Sequence, residues 1–329
     1  MPSVRSTSLM SAVVFVLTAF SAAQLTFATQ EFFSPGTHAS SNVLRSNITI
    51  NKRVDEVNLA FTIMSKKGKF IQDLGPSDFE VLDNHIPTEQ FRLFQQQTEL
   101  PLRVGLLIDA SDSVRARFRF EQMAAVMFLK KMLRPERDRA FIATFNDSVH
   151  LIADLSSNVP YMQKTIKHAK DGGNTSLYDA VIFACNKLNN NSEDVVTRKV
   201  IILISDGVDT KSTSLMADAQ QAAVHSEALL LALSTNDLSL ERYPTGEAVL
   251  DLLSKPTGGY ILPAHEDWQL AGAFSKIERA LRSQYFIAYN PPNFKPDGSY
   301  RSIDLVLKNP KLKVRCRTGY YARRETTHF

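Results

Sequence analysis

Apolar residues change their spacing twice along the chain. From Ile48 they alternate: Val57, Leu59, Phe61 and Ile63 sit at period two, and Phe70-Ile71 resumes after Lys66-Lys67-Gly68. Phe79 and Val81 follow before Asp83-Asn84. Such alternation broken by turn residues predicts short half-buried strands. Between Arg103 and Leu281 the runs become continuous: VGLLID (104–109), AFIATF (140–145), KVIILIS (199–205) and ALLLALS (228–234). Uninterrupted apolar runs of this length suit parallel strands buried on both faces. SVHLIA (148–153) and GYIL (259–262) read as shorter strands. Helical spacing appears over 115–133, 176–188, 217–225, 246–254 and 267–282; in the first, Phe118, Ala125, Phe128, Leu129 and Met132 share a face.

After Ser283 three strands are expected, at 284–290, 301–307 and 311–321. In the last, Leu312, Val314 and Cys316 face one way, and Lys311, Lys313, Arg315 and Arg317 the other. Each terminal β segment alone holds about three strands, marginal for independent stability. The expected fold class is therefore α/β: a mostly parallel sheet with helices on both faces, at 101–282, inserted into a small β-sandwich built from 44–100 and 283–325.

Residues 1–28 read as a secretory signal. Arg5 precedes an apolar run from Met10 to Phe20, and small residues follow at Ser21, Ala22 and Ala23, with Ala28 as a second cleavage candidate. Residues 29–43 read as a flexible lead-in. The expectation is a secreted or periplasmic protein with no stable membrane insertion after signal cleavage. A charge of +4 from 38 basic and 34 acidic residues gives no reason to expect nucleic acid as a partner. Two cysteines, Cys185 and Cys316, exclude a disulfide-dense scaffold and are expected to be free thiols.

Polar residues cluster after three of the apolar elements. Asp109-Ala110-Ser111-Asp112-Ser113 ends the strand at 104–109, Gly172-Gly173-Asn174-Thr175-Ser176 opens a helix, and Ser205-Asp206-Gly207-Val208-Asp209 ends the strand at 199–205. Ligands of open α/β sheets bind at the carboxyl ends of strands. The converging groups are carboxylates and hydroxyls, a set of oxygens suited to Mg²⁺, Mn²⁺ or Ca²⁺.

The segment DASDS resembles the Asp-x-Ser-x-Ser motif of von Willebrand factor type A domains, their metal-ion-dependent adhesion site. GGNTSLYDA resembles that family's second loop and LISDGVDT its third, in the family's order across 101–282. KGKFIQDLGPSDFEVLDN and KVRCRTGYYARRE resemble the flanks of a group of secreted bacterial proteins called VWFA-related. The resemblance implies a Rossmann-like domain that is not an enzyme. It implies a divalent cation, Mg²⁺ first, bound directly by Ser111 and Ser113 and directly or through water by Thr175. Asp109 and Asp206 would act through waters and hydroxyls. The implied partner is a protein presenting an Asp or Glu carboxylate. Where the family usually carries Gly between the two serines, this chain carries Asp112. Asp tolerates unusual backbone angles better than most residues. Asp209 reads equally as a loop-capping or a solvated residue.

Rival readings are a structural scaffold without metal-dependent binding, a phosphatase of the haloacid-dehalogenase type, and a polyanion-binding surface. The second needs a carboxylic acid two residues after Asp109, where this chain has Ser111. The third would use Lys311, Lys313, Arg315, Arg317, Arg323 and Arg324, a stripe that reads more simply as the solvated face of an edge strand. Tyr285, Tyr289, Tyr320 and Tyr321 read as sandwich core and rim.

Overall fold

The computed structural model describes residues 56–96, 100–190, 197–236, 244–264 and 266–323. The expected signal (1–28), the lead-in (29–43) and the stretch 44–55 lie outside the described residues, as do Arg324 and His265. No helix among the described residues is long and apolar enough to cross a membrane.

Strands β1 (Val57–Ser65), β2 (Phe70–Ile71), β3 (Phe79–Asp83), β4 (Ile86–Pro87) and β5 (Phe91–Gln96) come first. There follow β6 (Leu102–Asp109), α1 (Phe118–Met132), β7 (Arg139–Phe145), β8 (Val149–Ser156), α2 (Val159–His168) and α3 (Leu177–Asn189). Next are β9 (Arg198–Ser205), α4 (Met216–Ser226), β10 (Leu229–Ser234), α5 (Pro244–Ser254), β11 (Ile261–Pro263) and α6 (Asp267–Arg282). The chain closes with β12 (Gln284–Tyr289), β13 (Tyr300–Leu307), β14 (Leu312–Cys316) and β15 (Gly319–Tyr321).

The largest sheet runs β11-β10-β9-β6-β7-β8, parallel except for the antiparallel pair β7–β8. Successive residues of a strand point to opposite faces, and each face has its own core. Val104, Leu106 and Ile108 of β6 pack with α1, α2 and α6. Leu107, with Ile201 and Leu203 of β9, packs with α3, α4 and α5. Gly105 faces this second core, where a Cβ would lie 2.6 Å from the ring of Phe141. The missing side chain is filled by that ring.

Two antiparallel sheets, β14-β1-β12-β5 (with β2 beside β1) and β15-β13-β3-β4, share a third core. β1, from before the large sheet, pairs with β12 and β14 from after it. Val57, Leu59, Phe61 and Ile63 are all buried there, with Tyr285, Tyr289 and Tyr320. Tyr321 sits at the rim, stacked on His225 with ring centroids 4.2 Å apart.

The expected single strand 311–321 is corrected by the structure. It breaks after Cys316: β14 pairs with β1, and β15 pairs with β13. The break follows from Thr318, whose N–H donates to Pro256 O at 3.0 Å and whose carbonyl accepts from Ile303 N at 2.9 Å. Arg317 is consequently buried rather than solvated beside the lysines; it reaches Glu227 at 3.4 Å and donates to Asn58 O at 2.8 Å. Arg315 lies over the ring of Tyr260, 4.6 Å from its centroid. The basic stripe is thereby divided, two of its arginines being engaged within the molecule. Cys185 and Cys316 are both free.

Asp83 ties the third core together. Its Oδ2 accepts from the hydroxyls of Tyr289 and Tyr320, each at 2.9 Å, and its Oδ1 accepts from Arg301 Nε at 2.7 Å. Arg301 in turn donates to Pro292 O at 2.7 Å. Removing one member of a buried ion pair strands the other without a partner. Asp83→Ala is predicted to lower unfolding stability by about 3–5 kcal/mol in urea titrations. A loss below about 1 kcal/mol would show that Arg301 and the tyrosines find other partners.

Candidate metal centre

β6 and β9 are neighbours, and their onward connections diverge: β6 leads to β7 on one side and β9 to β10 on the other. A crevice opens at the carboxyl ends of strands where connections part in this way. Asp109 ends β6 and Ser205 ends β9, and the pairing of Ile108 with Ile204 sets them side by side. Ser205 Oγ donates to Asp109 Oδ2 at 2.7 Å. Asp109 Oδ1 accepts from Ser111 N at 3.0 Å and from Ser111 Oγ at 2.7 Å. Ser113 Oγ lies 3.0 Å from Ser111 Oγ. Asp206 accepts from Val208 N at 2.9 Å, and Gly207 N donates to Ser205 Oγ at 3.0 Å.

The second loop is fastened between the first and the third. Gly172 N donates to Ala110 O at 2.7 Å, and Asp112 N to Gly173 O at 2.9 Å. Asn146 Nδ2 donates to Gly172 O at 2.9 Å. Thr175 is buried; its N–H donates to Thr210 Oγ1 at 3.0 Å, and its carbonyl accepts from Thr210 N and Lys211 N at 3.0 and 2.9 Å. Gly173 has φ +95°, and a Cβ there would lie 2.4 Å from Asp147 Oδ2, so this position requires glycine. Asp209 caps α3: its Oδ1 accepts from Leu177 N at 2.8 Å and from Ser212 Oγ at 2.5 Å. The N-cap residue Ser176 makes no side-chain cap of its own, so the third loop supplies one.

Of the sequence-derived set, Asp109, Ser111 and Ser113 are directly hydrogen-bonded. Asp206 is near enough to Asp109 for its charge to raise the Asp109 pKa. Thr175 is tied through its backbone to the third loop, within a loop bonded to the first. Among the described residues, no group of three or more His, Cys, Asp or Glu side chains is placed to hold a metal. A cation here would therefore depend on hydroxyl oxygens, and a donor set made only of oxygen fits a hard divalent ion. Asp112 has a negative φ at the start of a short 3₁₀ turn, so this loop makes no demand for glycine there.

Burial pushes the pKa of Asp109 up to about 6, and the Asp206 charge adds to this, while hydrogen bonds from Ser111 and Ser205 oppose it. Glu121 of α1 is fully buried; burial, then the charges of Asp109 and Asp206, push its pKa well above the ordinary value of 4.5. Sequence reasoning assigned no role to Ser205, Asn146, Asp147, Arg115 or Glu121. Ser205 stood inside the third polar cluster, and its role required knowing that β9 lies beside β6.

The family model described as von Willebrand factor type A domain matches residues 104–208. No curated protein matches the chain in sequence. Among solved structures, the chain is similar to the vWF domain of the type V pili tip protein Mfa5 from Porphyromonas gingivalis, at 14% identity and TM-score 0.46, covering 55% of this chain and 94% of that one. It is also similar to the PilB minor pilin from Streptococcus sanguinis, at 13% identity and TM-score 0.44, covering 57% of this chain and 62% of the pilin. Proximal thread matrix protein 1 from the mussel byssus matches at 14% identity and TM-score 0.48, over 60% of this chain and 50% of that one.

Asp109 generates a pH prediction. Its folded pKa of about 6 exceeds the ordinary 3.8, so between these values the folded state holds a proton that the unfolded state has released. This group's contribution to stability therefore falls as pH rises from about 4 to about 6. In thermal melts with EDTA, the advantage of wild type over Asp109→Asn is expected to shrink across that window. A difference independent of pH would contradict the assignment.

Proposed function

We propose that residues 104–208, which match the family model described as von Willebrand factor type A domain, form such a domain, and that the protein is a secreted or periplasmic protein-binding module working through a divalent cation. Mg²⁺ is the first choice, with Mn²⁺ and Ca²⁺ as alternatives. Ser111 and Ser113 hold the cation directly, and Thr175 holds it directly or through water. Asp109 and Asp206 orient hydroxyls and waters around it. Neutral hydroxyl donors leave much of a bound dication's charge uncompensated, which supplies the attraction for an Asp or Glu carboxylate on a partner.

The carrying observation is the placement of Ser111 Oγ, 2.7 Å from Asp109 and 3.0 Å from Ser113 Oγ, in the loop that follows β6, with Ser205 from the end of the adjoining strand β9 on the other oxygen of Asp109. Both oxygens of Asp109 are occupied by Ser111 and Ser205, which suits an orienting group better than the free nucleophile of a phosphatase. The residue in the place of that enzyme's general acid is Ser111.

Calorimetry with MgCl₂ alone is expected to show one site in wild type. Asp109→Ala removes the group that orients the hydroxyls and is predicted to weaken binding by roughly 10- to 100-fold. Capture of acidic peptides from a display library is expected with Mg²⁺ and not with EDTA. Absence of heat with Mg²⁺, Mn²⁺ and Ca²⁺ alike would leave the scaffold reading in its place.

A further inference from the structure

Asp112, the residue that stands in the glycine position, does not leave its carboxylate free. Its Oδ1 is in direct contact with Nη2 of Arg115. The same guanidinium donates from Nε to Asp171 Oδ2 at 3.1 Å. Asp112 belongs to the first loop, and Asp171 directly precedes Gly172 of the second. This charge bridge lies over the backbone of Gly172: a Cβ there would be 3.4 Å from Arg115 Nη2 and 3.7 Å from Asp112 Oδ1. It runs beside the two backbone bonds that join the same loops, Gly172 N to Ala110 O and Asp112 N to Gly173 O.

We propose that Arg115 is a positioning residue of the oxygen cluster, stapling the first loop to the second through Asp112 and Asp171 and keeping the Asp112 carboxylate on itself. This rests on the divalent-cation reading above. Asp112 stands between Ser111 and Ser113 in the first loop, so its released carboxylate adds a negative charge beside the cation. There it would tighten cation binding while occupying the position a partner's carboxylate needs. Held by Arg115, it leaves the hydroxyls as donors, and the site keeps the charge balance it would have with glycine at 112. A single exposed ion pair contributes little. Here one cation serves two carboxylates from different loops, and its effect is expected to weaken as salt screens it.

The test uses the full chain, with Arg115→Ala, Asp112→Gly, the double variant and Asp171→Asn. All three positions are exposed, so no core contact is lost. In EDTA at low salt, amide exchange across 172–175 is expected to quicken by about two- to five-fold in Arg115→Ala and in Asp171→Asn. Titration with MgCl₂ alone is expected to show tighter binding for Arg115→Ala and wild-type binding for Asp171→Asn. The double variant is expected to match Asp112→Gly in affinity while its exchange stays fast. A loop that had merely loosened would bind Mg²⁺ more weakly, and removing Asp112 would not reverse a tightening. Unchanged exchange in Arg115→Ala overturns the staple; unchanged or weaker Mg²⁺ binding overturns the restraint of Asp112. Absence of Mg²⁺ heat in wild type instead defeats the cation reading, and the exchange measurement still decides the staple on its own.

Discussion

A carboxylate buried at the end of a strand is costly unless every lone pair it turns inward meets a donor. Asp109 meets this demand with Ser111 from its own loop and Ser205 from the adjoining strand. Ser205 can serve only because β9 pairs with β6 in the one register that brings the two strand ends level. The central pairing of the large sheet is thus also what organises the polar cluster. The second loop closes on this arrangement from the side through backbone bonds, and its two glycines let the chain pass close to Arg115 and Asp147.

Much of this could be read from residue order. The unbroken apolar run of β6 signals a strand covered on both faces, and its residues do divide between two helical layers. The polar motifs were legible because strand ends in such a sheet face one crevice. What escaped was whatever depended on distant neighbours. Arg115 and Asp171 are 56 residues apart. The break at Thr318 depends on the carbonyl of Pro256. Helix α2 buries only Met162 and Ile166 in a polar stretch, too sparse a stripe to announce itself. In β5 the run Phe91, Leu93, Phe94 departs from strict alternation, and its pairing with β12 carries an irregularity at Tyr289.

The two β sheets of the smaller core meet the large sheet at the amino ends of its strands, the end opposite the oxygen cluster. Arg198, which opens β9, donates to Gln284 Oε1 at 3.0 Å; Arg317 reaches Glu227 ahead of β10. Gly258, ahead of β11, approaches the chain at Cys316 so closely that a Cβ would lie 2.6 Å from its carbonyl carbon. Its φ of +81° independently favours glycine. Burial lowers the pKa of His225, so its ring stacks on Tyr321 uncharged near neutral pH.

The ladder between β5 and β12 has a mechanical meaning. The chain leaves for the large sheet just beyond Gln96 and returns just before Gln284, and Gln96 is paired with Tyr285. Tension drawn along the backbone from either side loads that antiparallel ladder at its Phe91–Tyr289 end and works to open it from there, and until it opens the large sheet hangs from it as an unloaded side branch. Strain taken up by the smaller sheets in this way leaves the loops at the far end of the large sheet undisturbed.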